Sequence, residues 1–105
     1  MRQNIFGNIP SEKPEEIFET LIENDSVRIE RIISKGHSSP QSFWYDQKEN
    51  EWVLVLKGHA KLLFEKDKII ELLPGDYINI PPNKKHRVEW TDPEMVTIWL
   101  AVFYK

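Results

Sequence analysis

The chain has 105 residues, a length that suits a single domain. Apolar residues make up 40% and charged residues 30%, so a hydrophobic core with a solvated surface is expected and disorder is not. The formal charge of -3 is spread without a basic stripe, which argues against nucleic acid as a partner. Cysteine is absent, which excludes disulfides, thiolate metal sites and cysteine nucleophiles.

The first ten residues, MRQNIFGNIP, lack the apolar segment of a secretory leader. No stretch of the sequence approaches the length of about 18 uninterrupted apolar residues that a membrane span needs. The sequence therefore predicts no membrane partner and, by default, a cytoplasmic location.

Residues 1–25 are predicted to form an arm and a short helix that packs on a β-domain of residues 26–105. Pro14 suits the first turn of a helix, because its missing N–H would have no partner there. Acidic residues follow it, where they complement the positive end of the helix dipole. The helix would cover an edge or the mouth of the domain, or else bind a partner. Its apolar face is predicted from four residues at helical spacing: Ile17, Phe18, Leu21 and Ile22.

From Val27 onward the chain alternates short apolar runs with turn residues. Pro74-Gly75 is typical of a type II turn, and Lys66-Asp67 of a hairpin tip. Many short strands at regular spacing indicate a sandwich or a closed barrel, since closure removes the exposed sheet edges. The predicted strands are 27–30, 43–46, 52–56, 60–65, 69–73, 77–80, 86–90 and 95–104.

Two segments stand out when they are read together. In residues 43–58, Glu51 is followed after six intervening residues by Gly58. Residues 75–90 carry turn residues and one histidine in the order Gly75, five residues, Pro81, one residue, Asn83, two residues, His86.

These segments resemble the two motifs of the cupin superfamily, G(x)5HxH(x)3–4E(x)6G and G(x)5PxG(x)2H(x)3N. Asn83 replaces a glycine of the second motif, a mild change because Asn is the residue that best tolerates positive φ after Gly. Trp90 stands at the motif's final Asn. The resemblance covers roughly residues 35–104. It implies an all-β fold, a cupin double-stranded β-helix (jelly-roll) barrel, to which this chain would add the short N-terminal helix, and it implies a homodimer.

The paired histidines of the first motif are missing. Their places fall on Tyr45 and Gln47 with one spacing and on Trp44 and Asp46 with the other. In the family, three histidines and one glutamate hold Mn, Fe, Ni or Zn. Of that set this chain keeps only Glu51 and His86.

A metal site is one hypothesis for these residues. Glu51, His86 and the amide oxygen of Gln47 are acceptable ligands for one divalent transition metal, and Tyr45 would add a phenolic oxygen. Residues 45, 47 and 51 share parity and would point to one face of a strand. Asp46 has the opposite parity and would face the site only if a bulge intervened.

Taken alone, Glu51 reads as an exposed residue at a strand start and His86 as a surface histidine. The coincidence of both motifs is what predicts that they meet inside the barrel. Tyr45 and Trp90 are predicted to line the cavity, Trp90 because it shares parity with His86. The other tryptophans are expected in the core, and His37 and His59 at the surface.

Three functions follow from this sequence. The first is a metalloprotein or enzyme acting on a small molecule, in which Glu51 and His86 hold a metal or, without one, serve as base and acid. The second is a metal-free module that binds a sugar-like or aromatic ligand. The third is a degenerate cupin kept for dimerisation or protein contact, with its site filled by side chains. Substrate and reaction are not predicted, because function rests on the site and not on the barrel.

Overall fold

The computed structural model describes residues 1–105 and contains eight β-strands and no helix. The fold therefore has no helix that would be long and apolar enough to cross a membrane. In chain order the strands are β1 (Ile17–Glu23), β2 (Val27–Ser34), β3 (Asn50–Lys57), β4 (Ala60–Phe64), β5 (Lys68–Leu72), β6 (Tyr77–Ile80), β7 (His86–Thr91) and β8 (Thr97–Tyr104).

The strands form two antiparallel sheets that close over one core. One sheet has five strands in the order β1-β2-β8-β3-β6, and the other has three in the order β5-β4-β7. Both sheets contribute alternate side chains to the same buried cluster, as expected for an all-β domain with one solvated face per sheet. The cluster comprises Ile32, Val53, Val55, Ala60, Leu62, Phe64, Leu72, Ile80, Val88, Trp99, Ala101 and Phe103.

The predicted N-terminal helix is wrong, because residues 17–23 form strand β1 and pair antiparallel with β2. The pairing shifts register between Thr20 and Ile22, so Leu21 is the extra residue of a β-bulge. The helix was predicted from two apolar pairs four residues apart, Ile17-Phe18 and Leu21-Ile22. In the structure the second pair contains the bulge. So short a helix is marginal by itself, whereas the edge of β2 supplies backbone partners for a strand.

Residues 1–16, the arm that precedes β1, are tied to β2 by one buried arginine. Arg31 is 6% exposed, and its guanidinium donates to the carbonyl oxygens of Ile5 at 3.0 Å and Gly7 at 2.6 Å. The same side chain donates to Glu19 Oε1 of β1 at 2.6 Å. A charged group at this depth has to be hydrogen-bonded, so the arm and β1 are held against the sheet together.

The turn residues behave as the sequence predicted. Gly75 has φ of 94°, and the N–H of Asp76 bonds back to the carbonyl of Leu73 at 2.9 Å, as in a type II turn. Lys66 and Asp67 both have positive φ at the tip of the β4–β5 hairpin. Asn83 has φ of 62° and so adopts the glycine-like backbone expected of it.

Gly58 carries the chain from β3 in one sheet to β4 in the other. Its φ is 97°, and a Cβ atom there would lie 2.4 Å from Thr97 Oγ1 and 2.7 Å from the carbonyl oxygen of Val96. Neither contact is sterically allowed, and the second is to backbone. The crossing between the sheets therefore requires glycine for space as well as for conformation.

We expect Gly58→Ala to lower the free energy of unfolding by about 1–3 kcal/mol more than Gly75→Ala does. Gly75 is the matched control, because it has a similar φ of 94° but nothing within 4 Å of the added Cβ. Urea denaturation of the two variants measures the difference. Equal losses of stability would show that the crossing relaxes and that space is not the constraint.

Candidate functional site

A half-open cavity lies between the two sheets. Its volume is about 50 Å³, and most of its wall is apolar. A space of this size accommodates a few water molecules or one end of a small molecule, because the cavity is open on one side. Four polar side chains reach it, and they come from the arm, the β2–β3 connection, β3 and β7: Glu16, Gln47, Glu51 and His86.

Glu51 and His86 meet in this cavity, as the motif resemblance predicted. Glu51 stands near the start of β3 and His86 begins β7, so the two sheets bring them together across 35 positions of sequence. Glu51 Oε1 lies 3.1 Å from His86 Nε2, and the side chains are only 12% and 4% exposed. The pair is thus a hydrogen-bonded contact that is largely withdrawn from water.

The second ring nitrogen of His86 determines where the protons are. Nδ1 lies 2.9 Å from the carbonyl oxygen of Lys84, which can only accept, so Nδ1 carries a hydrogen. A hydrogen bond between Nε2 and Glu51 Oε1 then requires a second proton, held between these two atoms. Burial by itself would lower the pKa of His86, but the hydrogen bonds to Glu51 and to Lys84 and the charge of Glu51 raise it above its usual value. The contact geometry and the raised pKa of His86 both favour a proton held between the two side chains.

Gln47 completes this polar group, and Asp46 does not. Gln47 Nε2 donates to Glu51 Oε1 at 2.8 Å, and its backbone carbonyl accepts from the N–H of Asn83 at 2.7 Å. Asp46 is exposed and points away. The reverse orientation of the Gln47 amide would set two acceptors against each other, so the amide presents its NH2 group to the carboxylate.

Tyr45 lines the cavity as predicted, although it lies outside the strands. It forms an isolated bridge with His86, with backbone hydrogen bonds of 2.7 and 3.1 Å, and the two rings stack with centroids 5.5 Å apart. Burial and then the negative charges of Glu16, Glu51 and Glu30 raise the pKa of the phenol. Tyr45 is therefore a neutral wall residue that keeps its proton.

Trp90 does not line the cavity, so the prediction made from its shared parity with His86 is wrong. The β4–β7 pairing shifts register so that Leu62 faces Val88 while Lys61 faces Trp90, which makes Glu89 the extra residue of a bulge. One extra residue reverses which face the following side chain points to. Trp90 accordingly packs edge to face on the ring of His59, 4.9 Å away, outside the cavity.

The tryptophan that does line the cavity is Trp99, which is 3% exposed. Its Nε1–H donates to Ser34 Oγ at 3.1 Å, and Ser34 Oγ donates in turn to Glu16 Oε2 at 2.5 Å. Burial raises the pKa of Glu16, against the opposing effects of the Ser34 hydrogen bond and the charge of His37. Sequence reasoning missed Glu16, because it had assigned this residue to a helix start.

His37 and His59 lie outside the cavity, as expected, and both are half-buried. His59 Nε2 lies 2.6 Å from Glu71 Oε2. His37 Nδ1 accepts from the N–H of Lys35, so its Nε2 carries the hydrogen that it shares with the carbonyl of Lys13 at 2.9 Å. Both rings are occupied in contacts within the protein.

The donor set of the cavity does not fit a resident transition metal well. Sites that hold such metals usually present at least three protein ligands, and no group of three or more His, Cys, Asp or Glu residues in the structure is arranged to hold an ion. Glu51 and His86 are bonded to each other, and the Gln47 amide presents donors instead of an acceptor to Glu51.

Two antiparallel sheets that enclose one interior polar site define a β-barrel of jelly-roll class. The model of the family described as "Cupin domain" matches residues 29–103. The chain belongs to the cupin family. No curated protein matches it.

Several solved structures are similar to the chain. A protein from Ralstonia eutropha JMP134, described as a "putative mannose-6-phosphate isomerase", has 42% identity and a TM-score of 0.95, with 100% of this chain and 98% of that chain covered. A cupin superfamily protein from Desulfitobacterium hafniense DCB-2 has 22% identity and a TM-score of 0.75, covering 91% and 83%. A polyketide cyclase from Streptomyces resistomycificus has 23% identity and a TM-score of 0.73, covering 87% and 66%. The last two show the fold alone.

We expect the stability difference between wild type and Glu51→Gln to be larger near pH 6 than near pH 8.5. The pKa of His86 is raised in the folded chain, so its contribution is complete below the ordinary histidine value of about 6.5 and is lost as pH rises through the folded-state pKa. Urea denaturation at several pH values measures this difference. Near pH 6 the loss should be of the order of 3 kcal/mol, because the change breaks a buried pair.

The matched control is Glu89→Gln, which removes a carboxylate that lies 3.4 Å from Arg87 and is 39% exposed. Its effect should stay within about 0.5 kcal/mol at every pH. A loss in Glu51→Gln that does not change with pH would mean that His86 carries no proton for Glu51 to stabilise.

Proposed function

We propose that this cupin binds a small molecule in its cavity and that the Glu51–His86 pair transfers a proton to or from it. The observation that supports the proposal is the 3.1 Å contact between Glu51 Oε1 and His86 Nε2 within a mostly apolar wall. A general acid must carry its proton before the reaction, and the hydrogen bonds to Glu51 and Lys84 raise the pKa of His86 in that direction despite its burial.

The protein supplies each part of such a transfer. The proton that lies between His86 Nε2 and Glu51 Oε1 passes to an oxygen of the bound molecule, which takes the place of that contact, and the pair accepts a proton back in the return step. The Lys84 carbonyl holds Nδ1–H and fixes the ring, while Glu51 stabilises the charged form. Tyr45 stacks on the ring and excludes water from one side.

The similarity to the Ralstonia protein supports one reaction type in particular. Interconversion of an aldose and a ketose moves a proton between adjacent carbons, which is chemistry that an acid–base pair can assist. The cavity wall contains no Lys or Arg to meet a phosphate group. We therefore propose proton transfer on a neutral hydroxy-carbonyl compound, and not recognition of a sugar phosphate within the cavity.

Proton exchange in D2O tests this function without a known substrate. Neutral aldoses, ketoses and other small hydroxy-carbonyl compounds are incubated with the protein, and loss of the signal from hydrogen next to the carbonyl is followed by ¹H NMR. We expect exchange by wild type on at least one compound, and a rate about 10²-fold or more lower in His86→Gln, as removal of a general acid–base predicts.

Glu89→Gln serves as the control and should exchange at the wild-type rate. Exchange that survives in His86→Gln would contradict the proposed role of the pair. Binding of a compound without any exchange would instead identify the protein as a ligand-binding module, the second function that the sequence allowed.

A divalent metal held by Glu51, His86 and Gln47 is the alternative function. It is supported by family membership and by the convergence of these three side chains. Against it stands the donor set, which offers one carboxylate and one imidazole. A cytoplasmic location and a homodimer, both expected from the sequence, remain predictions alongside either function.

Elemental analysis of protein purified without an affinity tag separates the two functions. We expect well under one equivalent of Mn, Fe, Ni or Zn per chain, because fewer than three firm ligands converge. A full equivalent of one metal that disappears in both Glu51→Gln and His86→Gln would establish the alternative. The Asp46→Asn variant is the control, since Asp46 is exposed and would not change occupancy.

A further inference from the structure

We infer that Glu16 is a ligand-contacting residue of the cavity, and that it selects neutral or cationic groups over anionic ones. This inference deepens the proposed function and rests on it, since it concerns the same cavity. Glu16 comes from the arm, just before β1, and lies outside residues 29–103 that match the family model. It is a feature of this chain that the family motifs do not supply.

The carboxylate of Glu16 is fixed at one oxygen and available at the other. Oε2 accepts the hydrogen of Ser34 Oγ at 2.5 Å, and Ser34 is fully buried with its own oxygen bonded to Trp99 Nε1–H. Oε1 has no hydrogen-bond partner within the protein, and it is not fully buried. Since Glu16 lines the cavity, that oxygen is positioned to meet a bound molecule.

The arm that carries Glu16 is anchored on both sides of it. His37 Nε2–H donates to the carbonyl of Lys13 at 2.9 Å, three residues before Glu16. Arg31 ties Glu19 and the earlier part of the arm to β2. Because residues on either side are bonded to β2 or to the loop that follows it, the position of the carboxylate is built into the fold.

The charges around the cavity favour particular ligands. Glu16 and Glu51 are the acids of the lining, His86 is its single base, and neither lysine nor arginine contributes. In surroundings of low dielectric constant, an anion placed near two carboxylates is repelled strongly, whereas an ammonium or hydroxyl group is accepted.

Three matched probes of four carbons test the selection: butylamine, 1-butanol and butyrate. Each is titrated into ¹⁵N-labelled protein near pH 7.5, and the indole N–H signal of Trp99 reports occupancy through Ser34. We expect saturable shifts with butylamine and butanol, and binding of butyrate at least about tenfold weaker. In Glu16→Gln, which keeps the shape of the side chain and can still accept from Ser34, the preference for butylamine over butyrate should fall about tenfold.

Glu15→Gln is the matched control, because it removes the same charge one position earlier from an exposed side chain. It should leave the preference unchanged. Equal binding of butylamine and butyrate by wild type overturns the inference even if the Glu16 variant does not fold. An unchanged preference in a folded Glu16→Gln also overturns it, while leaving proton exchange at His86 intact. Failure of all three probes to bind wild type would count against the cavity as a binding site and so against the proposed function too.

Discussion

The hydrogen bond between Glu51 and His86 is the contact on which the site depends, because it joins the two sheets across the cavity. Glu51 belongs to the five-stranded sheet and His86 to the three-stranded one. A carboxylate and an imidazole that are this deeply buried must share a proton or leave a charge unpaired, which costs several kcal/mol. Gln47 also donates to Glu51 Oε1 and the carbonyl of Lys84 accepts from His86 Nδ1–H, while Glu51 Oε2 has no hydrogen-bond partner within the protein. Glu51, His86 and Gln47 therefore bond to one another, and all three side chains face the cavity.

This arrangement changes what the family resemblance means for the chain. The carboxylate and the imidazole that the cupin motifs imply as metal ligands are bonded to each other here, with a glutamine donating to the same oxygen. Such a group is suited to holding and moving a proton. Tyr45, neutral and stacked on His86, extends the apolar wall against that pair. The fold is thus retained while the chemistry of its interior differs from a set of three histidines and a glutamate.

The N-terminal segment is the other distinctive feature. β1 adds an edge to the five-stranded sheet, and the arm before it brings Glu16 to the cavity through bonds to Ser34, while Arg31 holds the backbone in place. A segment outside the family-matched residues thereby contributes to the site. Its edge position also leaves Phe18 and Ile22 about half exposed, so this side of the molecule combines the mouth of the cavity with an apolar surface.

Sequence alone determined the features that depend on local backbone conformation and on motif spacing. Gly75 and Asn83 adopt positive φ where their residue types predicted it, and the spacing of Glu51 and His86 predicted a convergence that the sheets then produce. These outcomes were predictable because turn geometry is a property of a few consecutive residues, and because the resemblance carries the long-range topology with it.

Tertiary structure decided whatever depends on strand pairing. Two errors in placement lie at bulges, at Leu21 in β1 and at Glu89 in β7, because an inserted residue shifts the side-chain alternation and leaves no clear mark in composition. A third is the predicted strand 43–46, which is only an isolated bridge between Tyr45 and His86. The bulge in β7 turns the Trp90 side chain away from the cavity. The pairing of β1 with β2 brings Glu16 into it. A strand's partner and register are set by contacts between residues far apart in the chain, so no local pattern could reveal them.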